Sequence, residues 1–316
     1  MPPPLISSDQ IRRLKHFESQ FNPAAAHRFE EECRIIGYGE ISVVMTLRGW
    51  DGVVLKRMAG FREDEAEPYR ALVRAYIAAL AARGLRVVQT ESASVRTPRN
   101  GIVVYLVQPA FPEDQLGHQW LRRATPDHLP PLLDRLLETL VPLYRANQAA
   151  GEEATLAVDA QISNWVWNAA TRELDYFDVG TPLMRRNGTE LLSAEWALRT
   201  VPLPLRPLFR RAVMPEVVGR YYRLPDILTD FVANFIKEGR ADLVAPAMAH
   251  INAWLTHPAS DMGVAPLEEA HVRRYYARDA RIWTWYLRVR RLDRMAHWAL
   301  GKTYPYVLPA AIDRHV

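Results

Sequence analysis

Residues 158–180, VDAQISNWVWNAATRELDYFDVG, place Asp159 and Asn164 five positions apart and Asp178 fourteen beyond Asn164. The segment between Asn164 and Asp178 alternates as a short hairpin turning at Asn168 to Arg172, the period expected of a strand, whose successive side chains point to opposite faces. Closing that hairpin brings Asn164 and Asp178 together. Two oxygen donors held close, with phosphate oxygens and water completing an octahedron, make a suitable magnesium site. Taken singly, the Asp159–Asn164 spacing is ordinary loop chemistry and Asp178-Val179-Gly180 a turn. Their order and spacing together carry the chemistry.

Upstream, the chain is β-rich. CRIIGYGEISVVMTLRG (33–49) and DGVVLKRM (51–58) are rich in Val and Ile, with Trp50-Asp51-Gly52 as turn chemistry between them, so they read as a β-hairpin. Gly37 and Gly39 fall at the end of its first strand, where a missing Cβ lets the backbone approach phosphates. Lys56 lies on the next strand, its ammonium directed to a cleft. Of 40 basic residues only four are lysine, at 15, 56, 237 and 302. A lysine inside an apolar strand of such a chain implies a need for the compact ammonium.

Residues 63–83 carry Tyr69, Leu72, Val73, Tyr76 and Leu80 at helical spacing, with Pro68 in the first turn and Gly84 at the end. Two further strands follow, 85–95 and 101–108, around the turn Pro98-Arg99-Asn100-Gly101. At QPAFPEDQLG (108–117) the β pattern stops and two prolines mark a hinge. Beyond it, residues 126–147 form a leucine-rich helix, and from about 189 the chain is helical with proline breaks. Residues 8–21 read as a short helix with Ser8 as N-cap.

Composition excludes several classes. A formal charge of +4 on 316 residues, with acids scattered among the bases, leaves no footprint for nucleic acid. The single cysteine, Cys33, forms no internal disulfide and has no histidines at zinc spacing, so it reads as a buried, inert thiol. The start has no secretion-signal core and no apolar run of about 18 residues spans a bilayer, which gives a cytoplasmic expectation. The nine histidines form no HExxH pattern, and no serine sits in a nucleophile elbow.

The order of these pieces resembles the protein-kinase superfamily, especially its small-molecule branch, the aminoglycoside phosphotransferases and choline kinases. GYGEIS resembles the glycine-rich loop, VLK the strand lysine, DAQISN the catalytic loop and DVG the magnesium-binding motif. The resemblance implies an α+β, two-lobed fold, with an antiparallel-sheet lobe over residues 1–109 that contains one helix, and a mainly helical lobe over 110–316. It implies ATP and Mg²⁺ as cofactors. Lys56 contacts the phosphates, Asp159 orients or deprotonates the acceptor hydroxyl, and Asn164 and Asp178 bind magnesium. Gln108 to Ala110 receive adenine through backbone groups. A glutamate of the first-lobe helix pairs with the lysine. Glu65, which shares a face with Tyr69, Leu72 and Tyr76, is preferred, with Glu63 and Glu67 as rivals.

Three departures weaken a protein-kinase role. Ala157 stands two before Asp159, where the family usually has histidine, Ala160 stands where protein kinases often place another residue, and no APE sequence follows. A small-molecule acceptor is therefore expected, with a nucleotide-binding pseudokinase or scaffold as the alternative and adenylyl transfer as a third reading. The C-terminal stretch 268–300 mixes Trp283, Trp285, Tyr286 and Trp298 with many arginines. It reads as a long helix whose aromatics fill the core while arginines snorkel outward. Peripheral contact with an anionic membrane, or an acidic partner, is the alternative.

Overall fold

The computed structural model describes residues 3–39, 41–199, 201–202 and 205–309. The chain opens with α1 (Ser8–Gln20). Its cap is Ser7, one residue before the expected one: the Ser7 hydroxyl accepts from Gln10 N–H while the Gln10 side chain accepts from Ser7 N–H.

What read as a two-stranded hairpin folds as three strands, β1 (Cys33–Tyr38), β2 (Ser42–Leu47) and β3 (Val53–Phe61). The additional reversal is tight, with Gly39 N–H donating to Ser42 O at 3.0 Å. Helix α2 (Ala66–Ala82) follows, then β4 (Glu91–Thr97) and β5 (Gly101–Pro109). The five strands form one antiparallel sheet in the order β1-β2-β3-β5-β4.

Alternation places the two faces of that sheet. On β5, Val104 and Leu106 face the large core shared with α2 and the helices beyond, whereas Val103, Tyr105 and Val107 face α1. On β3 the same parity sends Leu55, Arg57 and Ala59 toward α1 and Met58 toward the large core. Lys56, on the face of Met58, is thereby aimed at the cleft.

Past the sheet come α3 (Gly117–Arg123) and the long α4 (Leu129–Ala150), whose leucines fill the large core. Strands β6 (Ala154–Leu156), β7 (Trp165–Asn168), β8 (Glu173–Tyr176), β9 (Met184–Arg186) and β10 (Thr189–Glu190) form two small antiparallel sheets, β7 pairing with β8 and β9 lying between β6 and β10. The short α5 (Ala194–Leu198), α6 (Arg206–Leu208) and α7 (Met214–Gly219) lead to α8 (Leu224–Lys237), α9 (Val244–Thr256) and α10 (Glu269–Ala299). The architecture is thus α+β, a sheet-rich first lobe on a helical second one.

The tail returns to the first lobe: Tyr304, Tyr306, Val307 and Leu308 pack beside Leu14, Phe17 and Phe21. Under them lies a buried ion pair, Arg57 Nε to Glu18 Oε1 at 2.5 Å. Arg57 also donates to the Pro305 carbonyl at 2.9 Å, and Tyr105 and Asn100 donate to the same glutamate. Cys33 is buried as expected, and burial, with Glu32 adding to it, pushes its thiol up to about 11. No described helix is long and apolar enough to cross a membrane.

Candidate functional site

The expected hairpin forms as β7 and β8, in register Trp165↔Tyr176 to Asn168↔Glu173, with Arg172 at positive φ in its turn. Its open end is fixed from three directions. Phe177 N–H donates to Asn164 O at 3.1 Å, Gln108 Nε2 donates to Phe177 O at 2.7 Å, and Tyr176 exchanges backbone bonds with the 86–88 segment. Asn164 and the residue before Asp178 are therefore bonded neighbours.

Lys56 Nζ reaches Asp178 Oδ1 at 2.5 Å across 122 residues of chain. The pair is partly buried, with side chains 18% and 22% exposed. Gly180 makes room for it: a Cβ there would meet Lys56 Nζ at 3.0 Å and Cε at 3.1 Å. Tyr69 of α2 steadies the same turn by donating to Gly180 O at 2.7 Å. Gly180→Ala is expected to displace the ammonium from Asp178, since the far end of a lysine yields more easily than backbone, with little change in Tm. A crystal structure of the variant beside a thermal melt checks this.

Asp159 lies half-buried in the loop before β7. Its carboxylate accepts from Gln161 N–H at 3.2 Å, its carbonyl accepts from Asn164 Nδ2 at 3.1 Å, and its N–H donates to Tyr176 OH. Burial, followed by the nearby Asp230 and Asp178, pushes the Asp159 carboxyl up to about 8. Because the Asn164 amide nitrogen is engaged, the group Asn164 offers a cation is its amide oxygen. The side chains here that could hold a metal are Asp178 and Asn164, whose hard oxygens are of the kind magnesium takes. Among the described residues no three His, Cys, Asp or Glu side chains cluster as a metal site.

Other expected positions lie differently. None of the three glutamates pairs with Lys56. Glu65 is held by Arg199, which also donates to Gly60 O, and that bond first of all lowers the Glu65 carboxyl below its usual range. Glu63 pairs with Arg96, and Glu67 with Arg70 and Arg74. The reason is local: Glu65 ends its turn at the N-terminus of α2, beside the segment whose Trp196 stacks on Phe61. At the hinge, Gln108 pairs with Val54 and spends its side chain on Thr90 and Phe177, while Ala110 N–H donates to Gly52 O at 2.8 Å. In the β1–β2 turn, a Cβ at Gly39 would meet Ser42 Oγ at 2.5 Å, whereas one at Gly37 meets only Val44 at ordinary contact distance. A side chain at 39 would therefore require Ser42 to turn its hydroxyl away.

Several site residues went unread in the sequence. Tyr76 of α2 donates to the carbonyl of Ala157 at 2.5 Å, supporting the position that the resemblance assigns to histidine. Beside Asp159, Gln161 bonds Asp230 and Lys237. Arg220 bonds Asp279, faces the rings of Tyr221 and Tyr275, and leaves its buried Nε without a hydrogen-bond partner among the described residues. Tyr69 and Tyr76, seven apart, were visible as an apolar stripe, but nothing in that spacing says where two hydroxyls go.

A family model described as "Family of unknown function (DUF6206)" matches residues 19–294. No curated protein matches the chain. Among solved structures, WaaP in complex with acyl carrier protein is similar at 10% identity and a TM-score of 0.41, covering 87% of this chain and 97% of that one. The Cydia pomonella granulovirus kinase PK-1 gives 15% identity and 0.31, over 58% of this chain and 61% of that one. A mutant aminoglycoside 2'-phosphotransferase-IIIa in its GDP complex gives 11% and 0.31, over 74% and 93%. These likenesses are distant, and the kinase-like architecture rests on the strand order and on the pairing of Lys56 with Asp178.

Proposed function

The chain belongs to the DUF6206 family, a family of unknown function, and from the geometry of its cleft we propose that it is an ATP- and magnesium-dependent phosphotransferase acting on a small molecule. The observation that carries this reading is the 2.5 Å contact between Lys56 and Asp178, with Asn164 and Asp159 bonded to each other on the adjoining loop. Lys56 comes from 122 residues away to a segment that carries Asp159, Asn164 and Asp178 within twenty positions, the residue types that phosphoryl transfer uses.

In this reading Asp178 and the Asn164 amide oxygen hold Mg²⁺, which supplies charge neutralisation on the phosphates. Lys56 gives up its contact with Asp178 in part to reach phosphate oxygens, adding positive charge where negative charge develops. Gly39 shapes the turn that lies over them. Asp159 takes the proton of the acceptor hydroxyl, for which a carboxyl titrating near pH 8 is well matched. The hinge receives adenine by groups other than Ala110 N–H, which the sheet already uses. The polar set of Gln161, Asp230, Arg220 and Asp279 beside Asp159 suits an acceptor rich in hydroxyl or amine groups.

The test is a screen of polar metabolites with ATP labelled separately at the α and γ phosphates. Transfer of the γ label with release of ADP supports the reading, and transfer of the α label identifies nucleotidyl transfer instead. One observation favours a binding-only pseudokinase: Glu65 is engaged by Arg199 and not by Lys56. Magnesium-dependent ATP binding with no transfer to any acceptor, and no slow hydrolysis, identifies that alternative.

A further inference from the structure

Helix α10 turns one side inward, burying Val272, Tyr276, Ala280, Leu287 and Val289. Its last turns do not follow the expectation that aromatics fill the core. Leu292 is 62% exposed, Met295 63%, Trp298 84% and, just past the helix, Leu300 69%. At about 100° per residue, positions 281, 285, 288, 292, 295 and 299 fall within roughly 80° of one another on the outer side. Basic and apolar residues thus share one line: Arg281, Trp285, Arg288, Leu292 and Met295. Trp285 is stacked on Phe209 at 5.3 Å, but Leu292, Met295 and Trp298 belong to no buried cluster among the described residues.

The charge along this line is uncompensated by acids. Between Ala280 and Lys302 the sequence holds a single acidic residue, Asp293, and it is buried. Arg288 and Lys302 are exposed on the same stretch. Arginines interleaved with exposed apolar side chains, on a stretch whose one acid is buried, suit anionic headgroups, which accept the cations while the apolar side chains enter the boundary below them. Tryptophan favours that depth, being apolar in body with one polar N–H.

We propose that the outer stripe of α10, from Arg281 through Met295, with Trp298 and Leu300 exposed on its two flanks, docks this protein on an anionic lipid surface. The proposal does not depend on phosphotransfer, and its residues lie outside the cleft.

The full chain is mixed with vesicles of phosphatidylcholine alone or with added phosphatidylglycerol, at low and high salt, and sedimented. The expected result is binding to the anionic vesicles only, released by salt. Binding should weaken roughly ten-fold or more in Met295→Glu/Trp298→Glu and, separately, in Arg288→Glu, the first replacing apolar insertion with two negative charges and the second reversing a positive one. Because these side chains are exposed, the variants should melt like the wild type and keep its ATP titration. Absence of binding to anionic vesicles overturns the proposal, as does unchanged binding by both folded variants. A wild-type dimer in sedimentation velocity that Met295→Glu/Trp298→Glu disperses also overturns it, since the stripe would then be covered by a second copy.

Discussion

Asp159→Asn is expected to lower turnover by about 10²–10⁴-fold, the range for loss of a positioned general base, while leaving ATP binding intact. The amide keeps the acceptor for Gln161 N–H and the shape of the loop, so only proton transfer is removed. The same substitution should stabilise the fold at alkaline pH. Burial, then Asp230 and Asp178, raise this carboxyl from 3.8 to about 8 in the folded chain. Between those values the unfolded chain releases its proton first, so the wild type loses stability as pH rises, until the loss is complete near pH 8. The variant carries no such charge. Its Tm should therefore match the wild type near pH 4 and exceed it by a margin that grows up to pH 8. Equal melts at both pH values, or full turnover by the variant, would contradict the assigned role.

Glu18→Ala should cost about 3–5 kcal/mol, because it leaves the Arg57 guanidinium buried without its carboxylate. Arg57 is 2% exposed and Glu18 fully buried, and the pair joins α1, β3 and the returning tail through Pro305. Glu18→Gln, which keeps an acceptor for Tyr105 OH and Arg57, should cost less. Chemical denaturation of the three proteins measures the series. A loss under 1 kcal/mol for Glu18→Ala would mean that water reaches Arg57 and that the tail is not anchored by this pair.

The parts of this molecule legible in its sequence are those set by short-range pattern. The 165–176 hairpin follows from period-two alternation around a turn, and its closure bonds Asn164 to Phe177, the residue before Asp178. The cleft-facing side of Lys56 follows from the parity of β3. The turn between β1 and β2 was missed because Tyr38 and Ile41 continue the β character across Gly39, so 33–49 reads as one strand. The Glu65 partner was not legible: Arg199 lies 134 residues downstream, and no spacing on α2 reveals which of three glutamates meets it. Glu18 gave a half-signal. It sits on the stripe of Leu14, Phe17 and Phe21, where a carboxylate demands a partner, but the sequence does not name Arg57.

The central claim is a nucleotide site in which Asp178 carries the metal and Lys56 the phosphates. Calorimetric titration of ATP into the wild type and Asp178→Ala, each with and without magnesium, tests it most directly. The expected result is magnesium-dependent binding by the wild type that the variant loses. ATP binding by the variant as tight as the wild type's in magnesium, or no binding by the wild type, would contradict it.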